Sequence, residues 1–253
     1  MTQGDVTTDE EILAVDVGAS TIKFCNVEAR TQVLGAVRRR RTPYPCEPAR
    51  LVALLAERIH GSGLALVGVG FPGVIEDGLV ADPGNLSRRA GVGSDVDAGL
   101  AGRWRRFALG EALRRETGRD VRVVNDAVLA ALGCCSGEGI ELVLTLGTGL
   151  GLALEIDGEV RTVRDVGAEV FVEGGTYDEV VGERARAGNE ERWRSSVVQA
   201  VLGFAREFHP TTLHLAGGNA RRLSPRFAPE LTCPVVIHGN EAPLRGVVKL
   251  FYP

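Results

Sequence analysis

Two glycine-containing turns carry residue types with which proteins bind phosphate. The first turn, residues 16–20, reads Asp-Val-Gly-Ala-Ser and follows an apolar segment with the pattern of a strand. The second, residues 147–151, reads Gly-Thr-Gly-Leu-Gly and follows the apolar segment 142–146. Because glycine permits unusual backbone angles and close approach, the N–H groups of both turns can surround an oxygen-rich anion. The sequence therefore predicts a phosphate site built from two separate parts of the chain.

A carboxylate lies between these turns in the sequence. Asp126 follows Asn125 after the apolar segment 121–124, at the end of a predicted strand, where α/β folds place their ligands. An aspartate there can accept the proton of an attacking hydroxyl, as catalytic bases of phosphoryl transfer do. The alternative is that Asp126 is the N-cap of a helix beginning at Ala127. Together with the two turns, the residue indicates a phosphotransferase.

Two other glycine-rich segments are weaker signals. Residues 68–73 fit the dinucleotide fingerprint G-x-G-x-x-G, but Pro72 and the alternating segment 74–80 exclude the helix that should follow it. That segment is interpreted as a rigid turn at a cleft wall. Gly217-Gly218-Asn219, after the predicted strand 212–216, would let a flat group such as adenine lie against the backbone, or is a plain loop.

Composition narrows the class of protein. The 253 residues are 44% hydrophobic and 25% charged, as in globular proteins, and no apolar run approaches the roughly 20 residues of a membrane span. The net charge of −4 argues against general nucleic-acid binding. The five cysteines lack framework spacing and the polar N-terminus lacks the features of a signal peptide, which predicts reduced thiols in the cytoplasm. The four histidines are scattered, so no zinc site is predicted.

Strands alternate with helices along two similar blocks. In the first, strands are predicted at 12–17, 21–27, 33–39 and 65–70, helices at 47–59 and 104–117, a hairpin at 74–80 and a loop at 81–102. In the second, strands are predicted at 121–124, 142–146, 151–156, 159–163, 212–216 and 235–238, with helices at 127–134, 177–187, 191–208 and 242–251. This order indicates α/β layers in two similar lobes that face a cleft, with a boundary near Gly118.

Taken together, the motifs resemble the ROK family, within the sugar-kinase branch of the actin-like ATPase superfamily, and its polyphosphate glucokinases most closely. The matching segments are 16–23, 68–73, 85–86, 123–127, 144–151 and 215–219. The resemblance covers about residues 12–250 and implies two actin-like (ribonuclease H-like) lobes with a cleft between them. Residues 1–11 are then a disordered tail, 12–118 the N-terminal lobe and 119–240 the C-terminal lobe, with 241–253 a candidate addition to the first lobe.

The resemblance also implies a function. It implies a homodimeric sugar kinase that uses Mg²⁺ and transfers phosphate from ATP or inorganic polyphosphate to a hexose hydroxyl. Asp126 would be the base and Asp16 the metal-binding residue. The phosphate-binding residues would be Asp16, Gly18, Ser20, Thr21, Lys23, Gly147, Thr148 and Gly149. The sugar would be bound by Gly73, Asn85, Asn125, Asp126 and Asp165, and the donor by Gly217, Gly218 and Asn219.

The chain departs from the family at a sugar-binding motif. The family has Glu-x-Gly-His where this chain has Asp165-Val166-Gly167-Ala168. Loss of the imidazole removes one hydrogen bond to the sugar, worth about 0.5–1.5 kcal/mol. Glu169 is a candidate substitute, although one position along a strand would point it the other way. A non-catalytic relative that binds sugar or phosphate, and a kinase for another acceptor such as an amino sugar, therefore stay open.

The donor is open as well. The basic residues are almost all arginines in small groups, which suits a polyanion such as polyphosphate. The alternative is a bias toward arginine on solvated helix faces. The cysteine-rich zinc motif of many ROK kinases is absent, as in the polyphosphate-using branch.

Overall fold

The computed structural model describes residues 11–161, 165–172 and 174–253. The strands are β1 (Glu11–Val17), β2 (Thr21–Glu28), β3 (Arg38–Arg41), β4 (Leu66–Phe71), β5 (Val74–Glu76), β6 (Leu79–Asp82), β7 (Asp120–Asn125), β8 (Ile140–Leu146), β9 (Leu150–Ile156), β10 (Glu159–Arg161), β11 (Val170–Val172), β12 (Gly175–Thr176), β13 (Thr212–Ala216) and β14 (Val235–Ile237). The helices are α1 (Pro48–Ser62), α2 (Ala98–Trp104), α3 (Leu109–Thr117), α4 (Asp126–Cys134), α5 (Tyr177–Val181), α6 (Glu183–Gly188), α7 (Glu190–Phe208) and α8 (Ala242–Phe251).

Two elements predicted from the sequence extend beyond the described residues. Of the predicted tail, residues 1–10 lie outside the described part of the chain, while Glu11 is the first residue of β1. Residues 162–163, predicted to continue the strand from Glu159, also lie outside it. Among the helices of the described ranges, none combines the length and the apolar character needed to cross a membrane.

The two large sheets share one strand order and one pattern of directions. The first has the order β3-β2-β1-β4-β7 and the second the order β10-β9-β8-β13-β14. In each, the first three strands are antiparallel neighbours and the remaining pairs are parallel. The chain therefore uses one sheet design twice, which confirms the predicted α/β fold and its duplication.

Both faces of each sheet are covered by apolar packing. In β1, Leu13 and Val15 belong to the core shared with α1 and α3, while Ile12 and Ala14 pack with residues of α8. Successive side chains of a strand point to opposite faces, so a run of apolar residues fits a strand covered on both sides. The second sheet repeats this arrangement, with α7 on one face and α4 on the other.

Helices α4 and α8 cross each other between the two sheets. A Cβ on Gly133 of α4 would lie 1.9 Å from the carbonyl oxygen of Ala242, and a Cβ on Gly246 of α8 would lie 1.9 Å from that of Leu129. Only glycine permits this approach of two helix backbones. Since α8 packs on β1 and β4 while α4 also packs on β8 and β9, this crossing joins the two halves of the molecule.

The strand at 120–125 is a correction to the sequence analysis, which placed it at the start of the second block. The structure pairs β7 with β4 in parallel, from Leu66 opposite Asp120 to Phe71 opposite Asn125. The reason is that the helical connection after β4 returns the chain to a neighbouring parallel position, whereas an apolar pattern identifies a strand but not its partner. The division of the chain into lobes otherwise stays a prediction.

Some predicted elements are broken by local geometry. The predicted helix 104–117 is two helices, α2 and α3, because Arg106 has a φ of +59° and its N–H donates to Val80 O at 2.7 Å. The predicted helix 177–187 breaks at Gly182, where a Cβ would lie 2.3 Å from Asp178 O. The predicted loop 81–102 contains a short 3-10 turn, Gly84–Ser87, and the start of α2. The third strand lies at Arg38–Arg41 rather than 33–39, whereas the C-terminal helix has its predicted bounds.

Candidate active site

A cleft of about 350 Å³ opens at the carboxyl ends of β1, β4, β7, β8 and β13. Every residue proposed for the site from the sequence lines this cleft. These are Asp16, Gly18, Ser20, Thr21, Lys23, Gly73, Asn85, Asn125, Asp126, Gly147, Thr148, Gly149, Asp165, Gly217, Gly218 and Asn219. Asp178, Glu183 and Asn240 line it as well and were missed. The roles of these residues stay predictions, but the fold brings all of them together.

The first turn joins β1 to β2 and is held tightly. Gly18 N–H donates to Thr21 O at 3.1 Å, and a Cβ on Gly18 would lie 2.9 Å from that oxygen. Asp16, whose side chain is largely buried, stands opposite Lys23 in the register of the two strands. Lys23 Nζ donates to Asp16 Oδ2 at 2.7 Å. The turn therefore presents a carboxylate and a cation side by side at the cleft.

The second turn joins β8 to β9 and faces the first. Gly147 O accepts from the backbone N–H of Glu183 at 2.9 Å and from Asn219 Nδ2 at 3.2 Å, which fixes the turn to two other segments. The hydroxyl oxygens of Ser20 and Thr148 lie 3.4 Å apart. Because one hydroxyl comes from each turn, the two turns meet across a single cleft.

Asp126 is the first residue of α4, and the sequence alternative that made it the N-cap is wrong. Asn125 is the N-cap: its Oδ1 accepts from Ala127 N at 2.9 Å and from Val128 N at 3.1 Å. Its Nδ2 donates to Gly73 O at 2.9 Å, so the amide of Asn125 is engaged within the protein. This capping directs Asp126 toward the cleft, where Oδ1 accepts from Ala127 N at 2.8 Å.

The Asp126 carboxyl has the pKa of a base that works near neutrality. Burial raises its pKa to about 7, and the charges of Asp16 and Asp165 act in the same direction. The hydrogen bond from Ala127 N–H and the charge of Lys23 lower the pKa and limit this shift. A carboxylate of this basicity can take a proton from a hydroxyl more readily than an ordinary aspartate.

Asp178, in the first turn of α5, connects the second turn to the opposite wall. Its Oδ1 accepts from Leu150 N at 2.9 Å and its Oδ2 accepts from Asn85 Nδ2 at 3.3 Å. Asn85 Oδ1 in turn accepts from Arg88 Nε at 2.9 Å. The only sequence signal is a capping box of Thr176 and Glu179, which predicts a helix start and gives no indication of a site.

In the segment that departs from the family motif, the first residue lines the cleft and the last does not. Asp165 lines the cleft, and its Oδ1 accepts from Gly167 N at 3.1 Å. Ala168 is exposed, and neither it nor Glu169 is among the described residues that line the cleft. The segment here is a turn rather than a strand, so the reason given from strand alternation for excluding Glu169 does not apply.

The third glycine segment closes the cleft after β13. Gly217 has a φ of +90°, and a Cβ there would lie 2.4 Å from Leu146 O. Asn219 N–H donates to that oxygen at 3.0 Å. Glycine is therefore required at position 217 by the positive φ and by the lack of room for a Cβ. The hydrogen bond from Asn219 holds the segment against the end of β8, where the second phosphate turn begins.

Asp178→Asn is expected to lower kcat/KM for the phosphate acceptor about 10–100-fold, because hydrogen bonds to charged groups contribute about 1.5–3 kcal/mol. An amide nitrogen in place of Oδ2 would face the Nδ2 of Asn85, and turning Asn85 over would break its bond with Arg88. Steady-state kinetics with varied acceptor measures the loss.

Glu179→Gln is the matched control, since glutamine keeps the capping box and residue 179 does not line the cleft. Equal activity of the two variants would show that Asp178 has no positioning role.

Comparison with known proteins gives one family. The family described as "ROK family" matches residues 12–169, more than half of the chain. A glucokinase from Halalkalibacterium halodurans is 29% identical over 166 residues, which are 60% of this chain and 46% of that protein. The matched part of the chain thus spans about half the length of this curated relative.

Solved structures resemble the chain over nearly its whole length. The inorganic polyphosphate/ATP-glucomannokinase from Arthrobacter sp. strain KM matches with a TM-score of 0.78 and 25% identity, over 95% of this chain and 98% of that one. A ROK family glucokinase from Streptomyces griseus, solved with glucose and AMPPNP, matches with a TM-score of 0.72 and 18% identity, over 95% and 98% of the two chains. These likenesses confirm the predicted actin-like fold, and the relatives are named as sugar phosphotransferases.

Proposed function

We propose that this chain, which belongs to the ROK family, is a sugar kinase that transfers a phosphoryl group to a hydroxyl of a glucose-like hexose. The observation that carries the proposal is the meeting of the two glycine turns beside Asp126. Ser20 and Thr148 bring the turns within 3.4 Å, and the half-buried Asp126 opens on the same cleft. A protein that only binds sugar has little need for a carboxylate with a pKa of about 7 at this place.

The chemistry follows from positioning and proton transfer. Asp126 Oδ1 is occupied by Ala127 N–H, so Oδ2 is the atom that accepts the proton of the sugar hydroxyl. The sugar oxygen forms a bond to the terminal phosphorus of the donor while the bond from that phosphorus to its bridging oxygen breaks. The backbone amides of the two turns hold the phosphate groups, and Lys23 adds positive charge beside them. Correct placement of the two substrates supplies much of the acceleration.

The residues at the cleft fit Mg²⁺. The carboxylate oxygens of Asp16 and the hydroxyls of the turns are hard oxygen ligands of the kind Mg²⁺ prefers. We assign Asp16 as the residue that would hold the ion directly or through water. When bound, the ion would neutralise charge on the donor phosphates.

The donor is ATP or inorganic polyphosphate. Gly217, Gly218 and Asn219 border the cleft behind the second turn, where a nucleotide base or further phosphates would lie. The glucomannokinase that resembles the chain is named for both donors. We further propose that the protein is cytoplasmic, as its unpaired cysteines suggest, and homodimeric, as the family resemblance implies. The cleft would then lie between its two lobes.

The test is turnover with defined pairs of substrates. Purified protein with Mg²⁺ is incubated with glucose, mannose or an amino sugar and with ATP or polyphosphate, and the sugar phosphate is measured. Competition between the two donors for one acceptor then identifies the preferred donor. Retained binding of sugar and donor without turnover for any pair would favour the non-catalytic alternative, and turnover with another acceptor alone would redefine the substrate.

The pH dependence of this activity is expected to follow Asp126. Since the deprotonated carboxylate is the active form and its pKa is about 7, kcat/KM should fall about tenfold for each pH unit below about 7. Initial rates at low concentrations of both substrates measure this limb. A profile that stays flat through neutrality and falls only near the pKa of an ordinary aspartate would contradict the assignment.

A further inference from the structure

A second group of ionisable side chains is buried away from the cleft. Cys135, Glu141 and His214 are 7%, 2% and 4% exposed. One potential ligand atom of each lies within 4.8 Å of those of the other two. None of the three lines the cleft. Helix α4 begins at Asp126 on the cleft and ends at Cys134, so about 13 Å of helix separates this group from the site.

The second sheet brings these residues together although they are distant in the sequence. Glu141 of β8 stands directly opposite Glu155 of β9. His214 of β13 pairs with Val143, two residues beyond Glu141 and therefore on the same face. Cys135 follows α4, which packs on this face. Strand pairing thus builds a group that sequence spacing does not reveal, which is why no zinc site was expected.

Glu155 is the second, independent observation. It is 1% exposed, and neither carboxylate oxygen has a hydrogen-bond partner among the described residues. Glu141 is different, because its Oε2 accepts from the backbone N–H groups of Ser136 and Gly137, both at 2.8 Å. The Cys135 thiol, one of the three grouped side chains, lies beside Glu155. A buried carboxylate without a partner is costly, and a cation would satisfy it.

We propose that Cys135, Glu141 and His214 form a binding site for a divalent transition-metal ion of the Zn²⁺ class, with the unpartnered carboxylate of Glu155 beside them. Sulfur, nitrogen and oxygen ligands together suit zinc, whereas Mg²⁺ takes oxygen ligands alone. Binding requires the thiolate, so the thiol proton is released to solvent. The ion would fix the end of α4 to the second sheet. Helix α4 is also one of the two helices that pack between the sheets.

His238 supports this assignment from outside the ligand set. His214 Nδ1 lies 2.9 Å from His238 Nε2, and His214 Nε2 lies 2.8 Å from Glu141 Oε1. Without an ion, His214 Nε2–H donates to Glu141. An ion bound at Nε2 would take the place of that proton, and Nδ1 would then carry a proton and donate it to His238. Metal-binding histidines are held in this way by a partner on the other ring nitrogen.

Cobalt is the probe that tests the site. The protein is stripped of metal with a chelator and titrated with Co²⁺ in the absence of Mg²⁺. The expected result is thiolate-to-Co²⁺ charge-transfer absorption, bleached when Zn²⁺ displaces Co²⁺, and a rise in the unfolding temperature with Zn²⁺. Oxygen ligands in the cleft cannot produce the thiolate band, and Asp126→Asn should leave it unchanged.

Variants identify the ligands. Cys135→Ser should remove the thiolate band, and the matched control Cys134→Ser should keep it, since that neighbouring cysteine is not in the group. Glu155→Gln, which keeps the side-chain shape, and His238→Gln should each weaken Co²⁺ binding about 10–100-fold. Absence of the band in the wild type, or its persistence in Cys135→Ser, would overturn the proposal even if one variant fails to fold.

Discussion

Asp126→Asn is expected to lower kcat about 10²–10⁴-fold, the contribution typical of a general base. The asparagine has nearly the same size but cannot take the proton of the sugar hydroxyl. Its side-chain oxygen can still accept from Ala127 N–H, and Asn125 still caps α4. The variant should therefore fold and bind the donor while it loses turnover.

Stability distinguishes a lost base from a damaged fold. The pKa of Asp126 is raised to about 7, above the pKa of an aspartate in the unfolded chain. The folded state therefore loses stability as pH rises from the unfolded pKa to the folded one, because the buried carboxyl must give up its proton. The neutral asparagine removes this cost, and the unfolding temperature of the variant at pH 8 should not fall. Asp120→Asn is the matched control, because Asp120 is exposed at the other end of the same strand. If Asp126→Asn kept the kcat of the wild type, Asp126 would not be the general base.

The parts of the site that could be predicted depend on residues close together in the sequence. A strand that ends in a glycine turn, and an Asn-Asp pair between a strand and a helix, are local patterns. They placed Asp16, Thr148 and Asp126 on one cleft because equivalent strand ends meet at one edge of each sheet. The C-terminal helix has its predicted bounds, although Pro243, Gly246 and its β-branched residues count against a helix there.

The parts that could not be predicted depend on distant contacts. Asp178 meets Asn85 across 93 residues of sequence, and its own neighbourhood signals only a helix start. The partner of β7 is likewise set by the path of the intervening helices. Glu141, Glu155 and His214 gather only when three strands align. Pattern within a segment carries no information about which other segment will face it.

The glycines of the two phosphate turns show the same limit. Two properties of glycine, positive φ and close approach, were expected to explain them. Gly18, Gly147 and Gly149 are not among the glycines with positive φ, whereas Gly217 is. Space is the reason at Gly149, where a Cβ would lie 2.0 Å from Asp178 Oδ1 and 2.4 Å from its Cγ. The demand for glycine therefore comes from a side chain 29 positions away.

Gly149→Ala is accordingly expected to lower kcat/KM about 10²-fold, the scale of loss when reacting groups are displaced by about 1 Å. The new methyl group would displace the Asp178 carboxylate from Leu150 N–H and from Asn85. Gly203→Ala is the control: residue 203 is exposed in α7, where a Cβ meets nothing within 4 Å. That control should keep full activity and gain about 0.5–1 kcal/mol of stability.

A double variant separates the collision from any other effect of the methyl group. Asp178→Ala removes the carboxylate that the Cβ of residue 149 would strike. If that collision is the cause, Gly149→Ala combined with Asp178→Ala should be no less active than Asp178→Ala alone, so the two losses will not add. Additive losses in kcat/KM would instead mean that the methyl group obstructs the phosphate directly. Steady-state rates of the four proteins, with unfolding temperatures measured in parallel, decide between a turn shaped for Asp178 and a turn shaped for the donor.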